Sequence, residues 1–481
     1  MISRDNLLIV ACGIVLMLTQ YIAVREIGST FFSTELITVA TVIMILIGPS
    51  IAYFVAFRIS NKLLALWGVF SFISLLALPV GVRWLVAYMV RHDVELLAMI
   101  LVFLIGGLFY SAYFAVFLPR LVVKGGSFTR LYSLELAGAI AALLLIGVSG
   151  SWQILLTVFY LAVVLVLHLT LERRLVTIVA LLAVALISFF YPSLDALAAQ
   201  YYFKCYWNQK DPRLLAVEYS PYQRIDVVEE GSNRTLYLDG IPYYDASDLH
   251  WFNYYIAELP GRLIEQKKGK ALIVGSGSLS STGYLVRQGF DVTTVDIDKK
   301  VAEFGMRYFH HLNRLRSEDF DLRIADARAI VEATPDRTYD LIVLDIPAPF
   351  HVQTALLYTP TFFKQLNRCL KNGGIVAVNT CAYDINDPIA ASIAKSACLS
   401  FDQVTAVTGE SLGLTILYCA RQLPMTDKEL EAQISVDEKH GFKLFSPHAL
   451  KQLTKDVAPH NEDNLAALLM FAREHLPEVG K

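Results

Sequence analysis

The first 191 residues carry one apolar stretch after another, near 7–24, 34–57, 63–82, 94–118, 132–149, 152–170 and 175–191. Each is long enough to cross about 30 Å of hydrocarbon, which takes roughly 20 apolar residues. Backbone in lipid must satisfy its own polar groups, so seven such stretches predict a multi-span helical membrane domain. The first is read as a span rather than a cleavable signal peptide: its apolar run is long, no A-x-A-like site follows, and more spans come after. Residues 1–191 hold 11 Lys/Arg and 7 Asp/Glu, whereas residues 192–481 hold 30 and 37, so a soluble, acidic half follows an oily one. The whole chain is 55% hydrophobic and 18% charged, which excludes a mostly disordered chain and a small disulfide scaffold. No Lys/Arg-rich run argues for nucleic acid, so none is expected as a partner. Six scattered cysteines form no C-x-x-C pair and suit a reducing compartment, and no His cluster has zinc spacing, so no metal is expected.

Polar residues within or beside the spans are few. Glu135 lies among Ala137, Gly138 and Ala139, Arg25 and Glu26 end the first span, and His168 ends the sixth. An ionisable group in a membrane is a functional candidate by default, but a helix–helix hydrogen bond at a small-residue crossing is the plainer account of Glu135. Seven spans put the N-terminus and the polar half on opposite sides. Lys and Arg near the span ends slightly favour the polar half outside.

After Pro192 the pattern changes. Short strands are expected at 215–219, 223–229 and 235–238, with a hairpin turn at Asp239-Gly240 and a helix over 249–266. Then strands alternate with helices: a strand from Ala271 into a small-residue loop at Gly275-Ser-Gly277-Ser278, a helix at 281–288, Val292–Val295 ending at Asp296, a helix at 299–309, Asp321–Ile324 ending at Asp326, a helix at 327–333, Tyr339–Leu344 ending at Asp345, a helix at 359–370, and Gly374–Asn379. This alternation predicts a parallel, doubly wound α/β sheet with a ligand beyond the carboxyl ends of its strands. The loop glycines, Asp296, Asp326 and Asp345 collect there. Glycines let backbone approach a ligand, and Asp296, about 20 residues after the loop, is placed to accept from two ribose hydroxyls. Asp326 is placed to accept from an adenine amino group, and Asp345 points toward the reacting centre. A nucleoside-containing ligand follows. The third glycine of the dinucleotide fingerprint is replaced by Ser280, so a dinucleotide does not. Plainer roles stay open: Asp345 as a helix cap, Asp298 as the cap of the helix from Lys299, Tyr222 and Tyr358 as packing residues, His448 as a surface residue.

Residues 215–455 resemble the spermidine synthases, the polyamine aminopropyltransferases. The resemblance rests on Ser220-Pro-Tyr-Gln223-Arg-Ile225, Leu238-Asp-Gly240, Val295-Asp296-Ile-Asp298, Asp326, Tyr339-Asp-Leu-Ile-Val-Leu-Asp345, Leu357-Tyr-Thr359 and Lys443-Leu-Phe-Ser-Pro-His448, in that order. The seven-span front end is similar to that of bacterial membrane-attached members. The resemblance implies a membrane domain at 1–192, a small β-domain at 193–248, a Rossmann-like catalytic domain at 249–420 and a helical extension at 421–481. It implies decarboxylated S-adenosylmethionine as co-substrate, no permanently bound cofactor, an amine such as putrescine as acceptor, and a homo-oligomer. By residue matching, Gln223, Gly275, Gly277, Asp296, Asp326 and Ala327 would hold the nucleoside, and Asp345 would take the proton of the amine. Asn253, Ser278, Ala348 and Tyr358 stand where the acceptor would bind.

The acceptor side departs from the pattern. Ser278 and Ala348 replace acids, Asn253-Tyr254 replaces a His–Glu pair expected after Asp248, with His250 nearby, and the loop carries Ser276, Leu279 and Ser280. Leu279, Tyr254 and Phe350 make that side more apolar, and Val352 stands where a Pro is expected. Three readings remain at this point: an aminopropyltransferase with altered amine preference, another S-adenosylmethionine-dependent transferase such as a methyltransferase, and a non-catalytic membrane sensor or transporter. Nucleoside sulfonium donors are made in the cytoplasm, so the expected location is the inner membrane, multi-pass, with the catalytic domain cytoplasmic, against the charge bias. Residues 421–481, with an amphipathic stretch at 462–475, are assigned no chemistry and read as subunit contacts or a solvated cover.

Overall fold

The computed structural model describes residues 3–461 apart from 32–34, 95–105, 107, 246–251, 265–268, 276, 350, 383, 410–413 and 435–441. Six long helices make up the first half: α1 (Arg4–Phe31), α2 (Glu35–Val55), α3 (Asn61–Arg91), α4 (Phe128–Val148), α5 (Trp152–Leu171) and α6 (Arg174–Tyr206). Among the described residues these are the six helices long and apolar enough to cross a membrane. The remaining expected span, 94–118, falls outside the described residues at 95–105 and 107. Its end emerges in short helical segments at Tyr113–Ala115 and Phe117–Val123. Arg120 then donates to the carbonyl of Ala56 at 2.7 Å, at the α2–α3 turn. The other end of α3 packs beside the β-domain through Val86 and Ala87.

A small-residue crossing joins α1 to α4. A Cβ on Gly13 would lie 2.0 Å from the Glu135 carbonyl, and one on Gly138 would lie 2.1 Å from the Val10 carbonyl, so backbones meet there as only glycine allows. Glu135 is buried at this crossing, but its Oε1 has no hydrogen-bond partner among the described residues. The crossing expected from the sequence is present; the hydrogen bond is not. The outer faces of the bundle expose Phe54, Phe70, Leu144, Val148, Leu182 and Phe189. That is a larger apolar surface than a water-soluble bundle shows.

The seventh expected span does not end at Pro192. α6 carries Pro192 in its interior and continues to Tyr206, and the first strand begins only at Arg213. The boundary expected at 192/193 therefore falls inside a helix, whose stretch beyond Pro192 is held by the burial of Asp195, Ala199, Tyr202 and Phe203. β1 (Arg213–Tyr219), β2 (Arg224–Glu230), β3 (Asn233–Leu238) and β4 (Ile241–Asp245) form an antiparallel sheet in sequence order. The β3–β4 turn has Asp239 and Gly240 at φ 47° and 78°, the left-handed pair that a two-residue hairpin requires. Alternation along β2 and β3 gives the sheet two apolar faces. Ile225, Val227, Leu236 and Leu238 pack on Val301 and Phe304 of the next domain, while Val228 and Tyr237 pack on Tyr202 and Phe203 of α6.

The third layer is an eight-stranded sheet in the order β12-β10-β11-β9-β8-β5-β6-β7. Its parallel part is β5 (Lys270–Gly275), β6 (Asp291–Asp296), β7 (Asp321–Ile324), β8 (Tyr339–Asp345) and β9 (Leu370–Asn379). It is flanked by α7 (Ser280–Arg287), α8 (Lys299–Asn313), α9 (Ala327–Ala333), α10 (Pro360–Cys369) and α11 (Pro388–Cys398). The expected α/β order is present. The chain goes one way from β5 through β6 to β7 and the other way through β8 to β9, so the switch point lies between β5 and β8. The helix expected at 249–266 is described as a π-helical turn, Tyr254–Glu258, and a short helix, Leu259–Leu263. The tail at 421–481 is not purely helical: β12 (Phe442–Phe445) pairs antiparallel with β10 (Gln403–Gly409), which also pairs with β11 (Leu414–Ala420). The amphipathic stretch at 462–475 lies outside the described residues.

Candidate active site

A cavity of about 580 Å³ opens at the carboxyl ends of β5, β6, β7 and β8, the position expected for a ligand in such a sheet. Gly275 and Gly277, Asp296, Asp326 and Ala327, and Gln223 from the β-domain line it together. Each glycine also has a packing reason. A Cβ on Gly275, at φ 87°, would lie 2.1 Å from the Asp345 carbonyl, and one on Gly277 would lie 2.0 Å from Val301 Cγ1.

Asp296 ends β6. Its Oδ1 accepts from the backbone N–H of Asp298 at 2.8 Å. Burial pushes its carboxyl up to about 7; the Asp298 N–H opposes that shift, and the charges of Asp298 and Asp345 add to it. A ligand whose hydroxyls donated to Asp296 would favour its ionised form. Binding of such a ligand, probed with methylthioadenosine, should then release a proton below pH 7, and its affinity should fall by up to about tenfold per pH unit as pH drops below 7. Calorimetry in buffers of different ionisation heat measures this release. In Asp296→Asn the release and the pH dependence should both vanish; an affinity flat from pH 5.5 to 8 in the unaltered protein would exclude the role.

Asp298 is the helix cap anticipated from the sequence, accepting from Lys300 N at 3.0 Å. It also accepts from Gln223 Nε2 at 3.1 Å and so orients a cavity side chain. Asp326 caps α9 through Arg328 N at 2.9 Å and pairs with the Arg328 guanidinium at 2.8 Å, which holds its carboxyl below the usual range.

Asp345 ends β8, paired in register with Gly275. It is buried, its Oδ2 accepts from Ser281 Oγ at 2.8 Å, and its carbonyl accepts from Tyr243 at 2.7 Å. The carboxylate is thus turned to the start of α7 and is not among the side chains lining the cavity. Cys381 is its neighbour. Burial and then the Asp345 charge push the thiol up to about 12, so it stays protonated.

The four acceptor-side residues do not form one surface. Asn253 Oδ1 accepts from Ser280 Oγ at 2.7 Å, and Ser278 Oγ lies 3.3 Å from Ser280 Oγ, a buried neutral cluster beside Asp345. Ala348 is buried within an apolar core. Tyr358 corrects the expectation of a substrate contact: its hydroxyl lies among the carbonyls of Ile346, Pro347 and Asn379, at 3.3, 3.1 and 3.1 Å. It braces the loop after Asp345, the packing role left open from the sequence. Ser276, Asp248, His250 and Phe350 lie outside the described residues. Sequence reasoning did not single out Tyr243, Arg328, His351, Gln353 and Thr354, all on the cavity wall. The one available signal was the polar run His351-Val-Gln353-Thr354 just after the strand that ends at Asp345.

Residues 250–409 match the family described as the spermine/spermidine synthase domain. The chain is similar to polyamine aminopropyltransferase 2 of Hyperthermus butylicus, 31% identical over 170 residues, covering 34% of this chain and 55% of that one. It is also similar to the polyamine aminopropyltransferase of Nitrosomonas europaea, 27% identical over 259 residues, covering 50% of this chain and 78% of that one. A third relative, polyamine aminopropyltransferase 2 of Aquifex aeolicus, is 27% identical over 167 residues, 34% of either chain. The match thus spans about half of the first of these relatives and a third of the last. Among solved structures, a spermidine synthase from Thermotoga maritima aligns with TM-score 0.41 and 19% identity over 55% of this chain and 87% of that one.

Proposed function

We propose that the chain is a membrane-anchored aminopropyltransferase of the spermidine synthase type. It takes decarboxylated S-adenosylmethionine as donor and a putrescine-like amine as acceptor. The observation that carries this reading is the cavity wall itself: Gly275, Gly277, Asp296, Asp326 and Gln223 converge at the switch point, with Asp345 one residue layer behind. The amine nitrogen attacks the aminopropyl carbon bonded to sulfur. The N–C bond forms, the C–S bond breaks, the sulfur keeps the electron pair, and methylthioadenosine leaves. An ammonium is no nucleophile, so its proton must go first to a carboxylate, and Asp345 is the acid beside the reacting end. The sulfonium is already a good leaving group, so positioning supplies much of the remaining acceleration.

The apolar helices and their exposed outer faces support a bilayer as the setting of residues 4–206. Donor supply supports a cytoplasmic catalytic domain at an inner membrane. A second copy of the chain is the expected partner by family likeness. The test is an assay of the purified full chain with putrescine and either form of the donor. Methylthioadenosine and spermidine formed only from the decarboxylated donor are the expected products. Turnover with S-adenosylmethionine itself, or no turnover with either, would overturn the proposal.

A further inference from the structure

The cavity wall contributed by the β-domain is held from the first apolar helix. Arg25, near the end of α1, donates from Nη2 to the Ser220 carbonyl at 2.6 Å and from Nη1 to the Pro221 carbonyl at 3.3 Å. On the same side Trp152, the first residue of α5, stacks on Tyr219 with ring centroids 4.3 Å apart and planes 11° apart. The Ser220 hydroxyl in turn accepts from the amides of Tyr222 and Gln223, both at 3.1 Å, and donates to Asp298 Oδ2 at 2.6 Å. Asp298 then bonds Gln223 Nε2 through its side chain and Asp296 Oδ1 through its backbone N–H. Pro221, Tyr222, Gln223 and Asp296 all line the cavity.

We infer that Arg25 is a positioning residue for the nucleoside side of the cavity, acting through the Ser220–Gln223 turn, so that the helical domain completes the site. The inference rests on the proposed nucleoside donor for its functional meaning. The physical argument is independent of it. A four-residue turn with Pro221 and Tyr222 exposed has little apolar burial to fix it; among the described residues the charged donor to its carbonyls is Arg25, and Trp152 stacks on Tyr219 just before it. Catalytic chemistry on the far side of that turn depends on where Gln223 and Asp298 stand. The arrangement gives the apolar helices a part in the site besides anchoring it.

The experiment uses the full chain in lipid nanodiscs with Arg25→Ala, Arg25→Lys and Ser220→Ala, and Arg58→Ala as control. Arg58 is an exposed residue at the opposite end of the bundle, over Phe54. Arg25→Ala should weaken methylthioadenosine binding by about tenfold and raise the donor KM to match, with kcat within about twofold of the parent. Arg25→Lys should recover most of the loss, since one charged donor remains. Ser220→Ala should show the same KM-weighted loss from the other end of the line, and Arg58→Ala none. Hydrogen exchange without ligand should show the amides of Tyr222 and Gln223 exchanging faster in Arg25→Ala. Binding and exchange both unchanged in Arg25→Ala would overturn the inference. A parent chain that binds no nucleoside would overturn the proposed function, and exchange alone would then decide whether Arg25 anchors the turn.

Discussion

Asp345→Asn should abolish turnover while leaving nucleoside binding intact: kcat is expected to fall by about 10²- to 10⁴-fold, the usual contribution of a positioned general base. The replacement keeps the shape of the side chain. It also keeps an oxygen that accepts from Ser281 Oγ, now at 2.8 Å from Asp345, so the start of α7 and the β5–β8 pairing should persist. The carboxylate lies against Ser281 at the start of α7 and is not among the side chains that line the cavity. Loss of charge there should change the fate of the proton of the amine and leave the ribose contacts at Asp296 alone. Calorimetry with methylthioadenosine and a product assay, run on the same preparation, separate the two effects. Retained turnover would remove Asp345 as the base. A parallel loss of nucleoside affinity would show that its role is to shape the wall and not to take a proton.

Strands β5 and β8 were legible because buried strands write themselves as apolar runs; β6 and β8 end on an acid, and β7 is followed by one two residues on. Asp296, Asp326 and Asp345 could be placed at one sheet edge from that pattern alone, and Asp239-Gly240 marked its hairpin through the backbone angles it tolerates. What stayed hidden depends on residues distant in sequence. Tyr358 looks like a substrate contact until the three carbonyls around its hydroxyl are known. Pro192 looks like a helix end until the packing of Tyr202 and Phe203 against Val228 and Tyr237 shows why the helix goes on. Arg25 and Glu26 read as a neighbouring pair at a span end, yet they part company. Arg25 turns to the Ser220 and Pro221 carbonyls, and Glu26 is buried, accepting from Tyr219 at 2.9 Å. β12 escaped because it is four residues long and joins the sheet out of sequence order.

Asp195→Ala should be the most destabilising single change at the junction of the helices and the β-domain. One oxygen of Asp195, on the stretch of α6 beyond Pro192, accepts from Arg83 of α3 at 3.0 Å and from Arg224 of β2 at 2.9 Å. All three side chains are at most 2% exposed. Arg224 has a second carboxylate, Asp226, within 3.0 Å, but among the described residues Arg83 keeps Ser29 Oγ at 3.0 Å and Glu26 at 3.7 Å. Removing Asp195 therefore leaves Arg83 short of its close counter-charge while it stays buried. Breaking a buried pair in this way costs about 3–5 kcal/mol, against about 0–1 kcal/mol for an exposed pair. Asp195→Asn keeps an acceptor without the charge and should fall between. Thermal unfolding of the full chain in detergent micelles should show the order parent, Asn, Ala, with surface pairs such as Arg323–Asp321 giving no measurable change when broken. The cause is local to one carboxylate, so replacing Arg83 and Asp195 together by Met and Leu should recover much of the loss, since an apolar pair of similar volume has no charge to desolvate. A double variant no more stable than Asp195→Ala would show that Arg224, and not Arg83, is the group that needs the carboxylate.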